Sequence, residues 1–243
     1  MVFSSSNALY KSHQRLFVSN MNEKLVDSHK YNLWKGRLEK NGLDIHRIDE
    51  LYSRYNGHGE VLFSLLYTDA TTPEGNKIPP ICFLKGEVVC VLICFIDSLT
   101  KEKYLLLVQQ RRICDGSLTF EHPAGMLDSE SDAAVVAARE VWEETGIAIE
   151  KEQMVKLNTD PFYPSTGTSD EAMYLFYCEL ELSTEKIQSY HNKSMGLLSD
   201  HEYIHTYVVP FAEGHKLITN VNGILLDYMY LKDVGDWELL KSL

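Results

Sequence analysis

Apolar runs separated by polar turns set the rhythm of this chain, with no internal repeat and no low-complexity segment. Residues 61–67 (Val-Leu-Phe-Ser-Leu-Leu-Tyr) read as a strand, residues 71–76 as a turn, and residues 81–84 as a returning strand after Pro79-Pro80. Together they predict a β-hairpin. Upstream, residues 31–34 and 45–55 space their apolar side chains as helices do, with breaks at Asn41-Gly42 and Asn56-Gly57. The longest apolar run, residues 88–96, predicts a central strand, and residues 103–109 pair with it across a polar turn. A short strand at 118–121 leads into His122-Pro123-Ala124-Gly125. Further strands are expected at 154–157, 173–182 and 203–209, with a closing helix over 222–231. Strands with interspersed helices predict an α/β fold.

One helix stands out. From Asp132 the pattern runs to Gly146, with Ser131 as the expected N-cap and Gly146 as the stop. Ala134, Ala138, Val141 and Thr145 share a stripe expected to face a core, while Glu140, Glu143 and Glu144 share another. The acids sit at the negative end of the helix dipole, where each costs roughly 0.3–1 kcal/mol. Mutual repulsion adds about 0.2–0.5 kcal/mol per pair. A cation on this face would offset both effects, and carboxylates without His or thiolate nearby suit Mg²⁺ or Mn²⁺ rather than Zn²⁺. The plain alternative is a solvated acidic helix end with Arg139 as a casual partner.

Composition narrows the functional classes. At 243 residues the chain allows one ordinary domain plus a substantial extension. Its hydrophobic content of 44% and charged content of 24% are those of a globular protein. A net charge of −12 argues against a nucleic-acid partner, which requires a basic surface. Cys82, Cys90, Cys94, Cys114 and Cys178 are odd in number and lack C-x-x-C spacing, as expected of reduced, buried thiols in a cytoplasmic protein. The longest apolar run has about half the length a membrane-spanning helix needs, so no membrane association is expected. Residues 1–22, Ser-rich and without an acid, are expected to be a flexible tail, with an organelle transit peptide as the alternative.

The stretch from Gly125 to Ile147 resembles the Nudix box, G-x5-E-x7-R-E-U-x-E-E-x-G-U, where U is aliphatic. Gly125, Arg139, Glu140, Val141, Glu143, Glu144, Gly146 and Ile147 fall in register, and Ser131 replaces the first Glu. The resemblance implies a Nudix-type α/β/α sandwich with a mixed sheet over residues 86–243. Residues 23–85 resemble the N-terminal helical and β-hairpin extension of ADP-ribose and ADP-sugar pyrophosphatases, which in that group pairs two subunits. Homodimerisation is therefore implied. A segment of that size cannot bury its own core, so it should dock on the following domain or on another subunit.

The resemblance also implies site roles. Glu140 and Glu144 would be the principal Mg²⁺ ligands, joined by Glu143 and the backbone carbonyl of Ala124 beside Gly125. Arg139 would orient a box carboxylate. Of the neighbours Arg111 and Arg112 only one can line a cleft, because adjacent strand residues point to opposite faces, and the V-x-Q-x-R pattern selects Arg112 for a substrate phosphate or nucleotide. Glu121 stands where relatives ligate metal or hold substrate. Residues 162–171 resemble the S-P-G-x-x-x-E loop, with Thr166 for the family's Pro and Glu171 as the candidate general base. Phe162 and Tyr163 could stack on a base, although core packing is the commoner use of such rings. His122 reads as a strand-end residue packed beside the turn. The implied activity is Mg²⁺-dependent hydrolysis of a nucleoside diphosphate sugar, ADP-ribose or an ADP-sugar, to AMP and a sugar phosphate. UDP-sugar specificity and a non-catalytic binding module are the alternatives.

Overall fold

The structure, a computed structural model, describes residues 21–127, 130, 132–196 and 203–243. The chain forms two compact units, Met1–Leu84 and Lys85–Leu243.

In the first unit, α1 (Glu23–Val26) and α2 (His29–Lys40) precede an antiparallel sheet of β1 (Asp44–Tyr55), β2 (Val61–Thr71) and β3 (Ile81–Leu84), in that order. Ser28 caps α2 by accepting from the Tyr31 N–H. Leu25, Tyr31 and Trp34 from the helices pack on Ile48, Val61, Leu66 and Leu84, so the segment does bury a small core of its own, against expectation, because the two helices cover one face of the sheet. The expected hairpin is β2–β3, in register from Tyr67 opposite Ile81 to Ser64 opposite Leu84. The helix expected over 45–55 is instead β1, paired along its length with β2. Register shifts at Ile45/Arg47, Glu50/Tyr52 and Arg54/Tyr55 explain the misreading. Each irregularity moves the inward position off strict alternation, so Ile45, Ile48 and Tyr55 reach the core at spacings that imitate a helix, while Leu51 and Tyr52 stay exposed.

The second unit is built on β4 (Glu87–Asp97). There follow β5 (Lys103–Arg111), β6 (Leu118–Glu121), β7 (Ala124–Met126), α3 (Ala133–Thr145), β8 (Val155–Lys156), β9 (Ala172–Leu182), α4 (Thr184–Gln188) and β10 (Ser194–Met195). The chain ends with β11 (Ile204–Pro210), α5 (Phe211–Leu217), α6 (Val221–Asp233) and α7 (Trp237–Ser242). The sheet order is β10-β11-β5-β4-β9-β8, with β6 paired to β5 and β7 to β4. It is mixed, because β4 and β9 run parallel while β5 and β7 run antiparallel to β4.

Alternation along β4 divides the core into two layers. Val89, Val91, Ile93 and Phe95 point to one face, where Val136, Ala137 and Val141 of α3 meet them. Val88, Cys90, Leu92 and Cys94 point to the other, where Phe211 of α5 and Leu226, Tyr230 and Leu231 of α6 pack. This is the α/β/α sandwich expected from the sequence. Among the described residues no helix is long and apolar enough to cross a membrane. Cys90, Cys94 and Cys178 are buried free thiols, and burial pushes Cys94 and Cys178 up to about 12. Cys82 is half-buried and Cys114 exposed, so the expectation of burial fails for these two.

Candidate active site

The helix that carries the acids is capped one residue later than predicted. Asp132 accepts from the Ala134 N–H at 3.1 Å and is the N-cap, while Ser131 lies outside the described residues. At the far end Gly146 takes the left-handed conformation, φ 72°, and its N–H bonds to the Trp142 carbonyl at 2.8 Å. The buried positions are Val136, Ala137, Val141, Glu144 and Thr145, with Ala134 and Ala138 only partly buried. The expected core stripe of Ala134, Ala138, Val141 and Thr145 does face the core, and Val136 and Ala137 widen it. The helix is covered on two sides, and Val135, Arg139 and Trp142 are left facing outward.

The wider buried face brings Glu140 and Glu144 against β7. Glu144 is 6% exposed, and its Oε2 accepts from the Ala124 N–H at 3.2 Å. The Glu140 carboxylate lies against the Cα of Gly125, where an added Cβ would stand 2.0 Å from its Cδ. Arg139 donates from Nη2 to Glu140 Oε1 at 3.1 Å. Glu143 is half-buried beside them. The dipole and repulsion penalties at this helix end are therefore opposed by a main-chain N–H and a guanidinium.

Sheet register gathers the remaining groups around the first residues of β4. Ala124 stands opposite Cys90 and Gly125 opposite Val89 on one side, while Ala172, next to Glu171, stands opposite Glu87 on the other. Burial pushes the Cys90 thiol far up, and the charges of Glu144, Glu121 and Asp227 add to it.

The two arginines part company at the end of β5. Arg112 makes a two-pronged pair with Glu121, Nε to Oε1 at 2.9 Å and Nη2 to Oε2 at 2.7 Å. Thr119 donates to the same carboxylate at 2.5 Å. Burial alone would raise the Glu121 carboxyl, but hydrogen bonds from Arg112 and Thr119 and the charges of Arg112 and Lys85 hold it below its ordinary value. Arg111 instead donates to the Gly116 carbonyl at 2.6 Å, within its own loop.

Glu171 sits at the entrance to β9, and its carboxylate pairs with Lys85 Nζ at 2.6 Å. Phe162 forms a β-bridge to Met173, and Phe162 and Tyr163 both remain substantially exposed. Behind the turn, fully buried His122 lies 2.9 Å from Asp227, which also pairs with His215 at 2.8 Å. This is a packed strand-end histidine with a polar partner.

The sequence reading missed Lys85 and Asp170 as members of this cluster. Asp170 accepts from the N–H groups of Lys85 at 2.6 Å and Gly86 at 3.1 Å. No local pattern signals a contact between residues so far apart in sequence; only the parallel pairing of β4 with β9 creates it.

The donors near Gly125 are all oxygens, and the bare Cα of Gly125 gives Glu140 room beside the Ala124 backbone. Both features fit a hard divalent cation. Among the described residues no three carboxylate, imidazole or thiolate groups already converge on one point.

A curated Arabidopsis thaliana protein named Nudix hydrolase 14, chloroplastic, is 37% identical over 147 residues, 57% of this chain and 47% of its own length. The chain thus spans about half the length of the curated relative it matches. A solved structure described as an ADP compounds hydrolase aligns with a TM-score of 0.51 at 16% identity, covering 79% of this chain and 96% of its own. Similarity of that degree speaks to the fold. The profile of the NUDIX domain matches residues 86–218, more than half the chain. That match spans every strand of the sheet on which the site is built, and the chain belongs to the Nudix family.

Proposed function

We propose that the chain is a Mg²⁺-dependent hydrolase of the diphosphate linkage in a nucleoside diphosphate sugar. ADP-ribose or an ADP-sugar is the leading substrate, with AMP and a sugar phosphate as products. The observation that carries this reading is the inward acidic face of α3: Glu140 lies on Gly125 and Glu144 on the Ala124 N–H, beside an arginine-carboxylate pair and a loop glutamate. A solvated helix end would present these groups to water. The structural neighbour described as an ADP compounds hydrolase lends support to the choice of base.

Glu140, Glu144, Glu143 and the Ala124 carbonyl would hold the cation, and Mn²⁺ could replace Mg²⁺. When bound, such a cation neutralises phosphoryl oxygens and lowers the pKa of water. Arg112 supplies a planar fork for a phosphate or nucleotide, with Glu121 as its partner. Arg111, engaged with Gly116, is given the lesser part in substrate binding. Arg139 holds Glu140. Gly125 keeps the backbone approachable. Glu171 takes the proton of the attacking water as the oxygen bonds to one phosphorus and the bridging oxygen departs with the other phosphoryl group. The extension, residues 23–85, is read as a homodimerisation region. Residues 1–22 are read as a tail of a cytoplasmic protein; the chloroplastic relative favours the alternative of an organelle address.

The test is an assay over ADP-ribose, ADP-glucose, UDP-glucose and a dinucleoside polyphosphate, with and without Mg²⁺, identifying products. AMP release that requires Mg²⁺ is expected, and Glu144→Gln should lower kcat by about 100-fold or more. UMP release in preference to AMP would replace the base. Ser131 in place of the first box Glu favours a second reading, a binding module. Nucleotide binding without any product would establish that module and end the hydrolase reading.

A further inference from the structure

We propose that Lys85 is the positioning residue for Glu171, holding the candidate base toward the site through an ion pair anchored by Asp170. This rests on the reading of Glu171 given under Proposed function.

The geometry is reciprocal. Two adjacent acids at the entrance of β9 grip one dipeptide at the entrance of β4. Asp170, 8% exposed, fixes the backbone of Lys85 and Gly86 by accepting both N–H groups. The Lys85 side chain then returns to fix the next acid, with Nζ 2.6 Å from Glu171 Oε1. The Ala172 N–H bonds the Gly86 carbonyl at 3.2 Å, and the Glu171 N–H is accepted by Ser169 Oγ at 3.1 Å, so the backbone under Glu171 is held from both sides. The Glu171 side chain is 18% exposed and that of Lys85 37%. The pair is shielded enough to persist, yet open on one side.

The charge of Lys85 also acts on Glu121, the partner of Arg112. An ammonium with three donors on a flexible stem can hold Glu171 and still balance Glu121. A general base must lie within hydrogen-bond reach of the proton it takes. A loop carboxylate without this tether would spread over several rotamers, and misplacement of about 1 Å costs on the order of 100-fold in rate.

Steady-state kinetics of the full chain with the preferred substrate and Mg²⁺ test the proposal, using Lys85→Met, Lys85→Arg, Glu171→Gln and the double variant Lys85→Met/Glu171→Gln. We expect Lys85→Met to lower kcat on the order of 100-fold with KM changed less than about threefold. Lys85→Arg should regain at least about tenfold of that loss. In the Glu171→Gln background Lys85→Met should cost less than about threefold, because the group it positions no longer acts. Amide exchange over residues 165–172 should rise in Lys85→Met while α3 stays protected. This readout does not depend on turnover, and if Lys85→Met fails to fold, Lys85→Gln takes its place.

Equal losses in both backgrounds, a rise in KM with kcat retained, or unchanged loop exchange would overturn the proposal. A slow Glu171→Gln with a fast Lys85→Met sinks the role of Lys85 alone. A fully active Glu171→Gln removes the base reading and the role of Lys85 with it.

Discussion

At Gly125 the width of one methyl group separates a strand residue from one that leaves room for the proposed cation. Its backbone is not in the left-handed region, so alanine would suit the φ angle; the obstacle is the Glu140 carboxylate, 2.0 Å from where the Cβ would stand. The far end of a flexible side chain can swing aside, which makes the substitution tolerable for folding and harmful for function. We expect Gly125→Ala to keep Tm within about 3 °C while raising the Mg²⁺ concentration for half-maximal activity on the order of 10- to 100-fold. Thermal melts and a metal titration check the two halves, and an unchanged titration removes Glu140 from the cation site. The same scale separates the adjacent arginines. Arg112 meets Glu121, whereas Arg111 closes its own loop on Gly116.

The decisive element is α3, a short helix with conflicting demands. Its acids gather at the negative pole, and one of them is buried, yet it must end on time for the chain to reach β8. Gly146 ends it by adopting φ 72°, where a β-carbon is strained. A Cβ there would also meet Met195 Cε at 3.2 Å. Gly146→Ala should therefore destabilise the protein by about 1–2 kcal/mol, lowering Tm by roughly 2–8 °C. Denaturant and thermal unfolding measure it, and a Tm unchanged within error would mean that another residue stops the helix. The strand β1 gives the complementary lesson. Its irregular pairing erased the period of two on which strand recognition depends.

For the whole molecule, the extension carries its own question. Its core is small, and Leu51, Tyr52 and Ile81 on its strands stay exposed. Apolar strand residues left open in this way favour a covering partner. We expect the full chain to sediment at twice the mass of a single chain at micromolar concentration; the mass of one chain would remove homodimerisation from the functional reading. The net charge of −12 does not oppose an anionic substrate, because Arg112 and Lys85 stand beside the site carboxylates and a bound divalent cation would add to them.

The sequence by itself determined what depends on neighbours along the chain. It placed the helix carrying Glu140, Glu143 and Glu144, its stop at Gly146, the central strand and the β2–β3 hairpin, because local periodicity and turn chemistry encode these, and the motif resemblance added the sandwich architecture. The candidate residues came from a motif, and roles for them remain proposals. Only the tertiary structure decided the seating of Glu140 on Gly125, the pairing of Arg112 with Glu121, and the meeting of Lys85 with Asp170 and Glu171. Those depend on strand pairing between distant segments, and pairing energy resides in contacts that no local window of sequence contains.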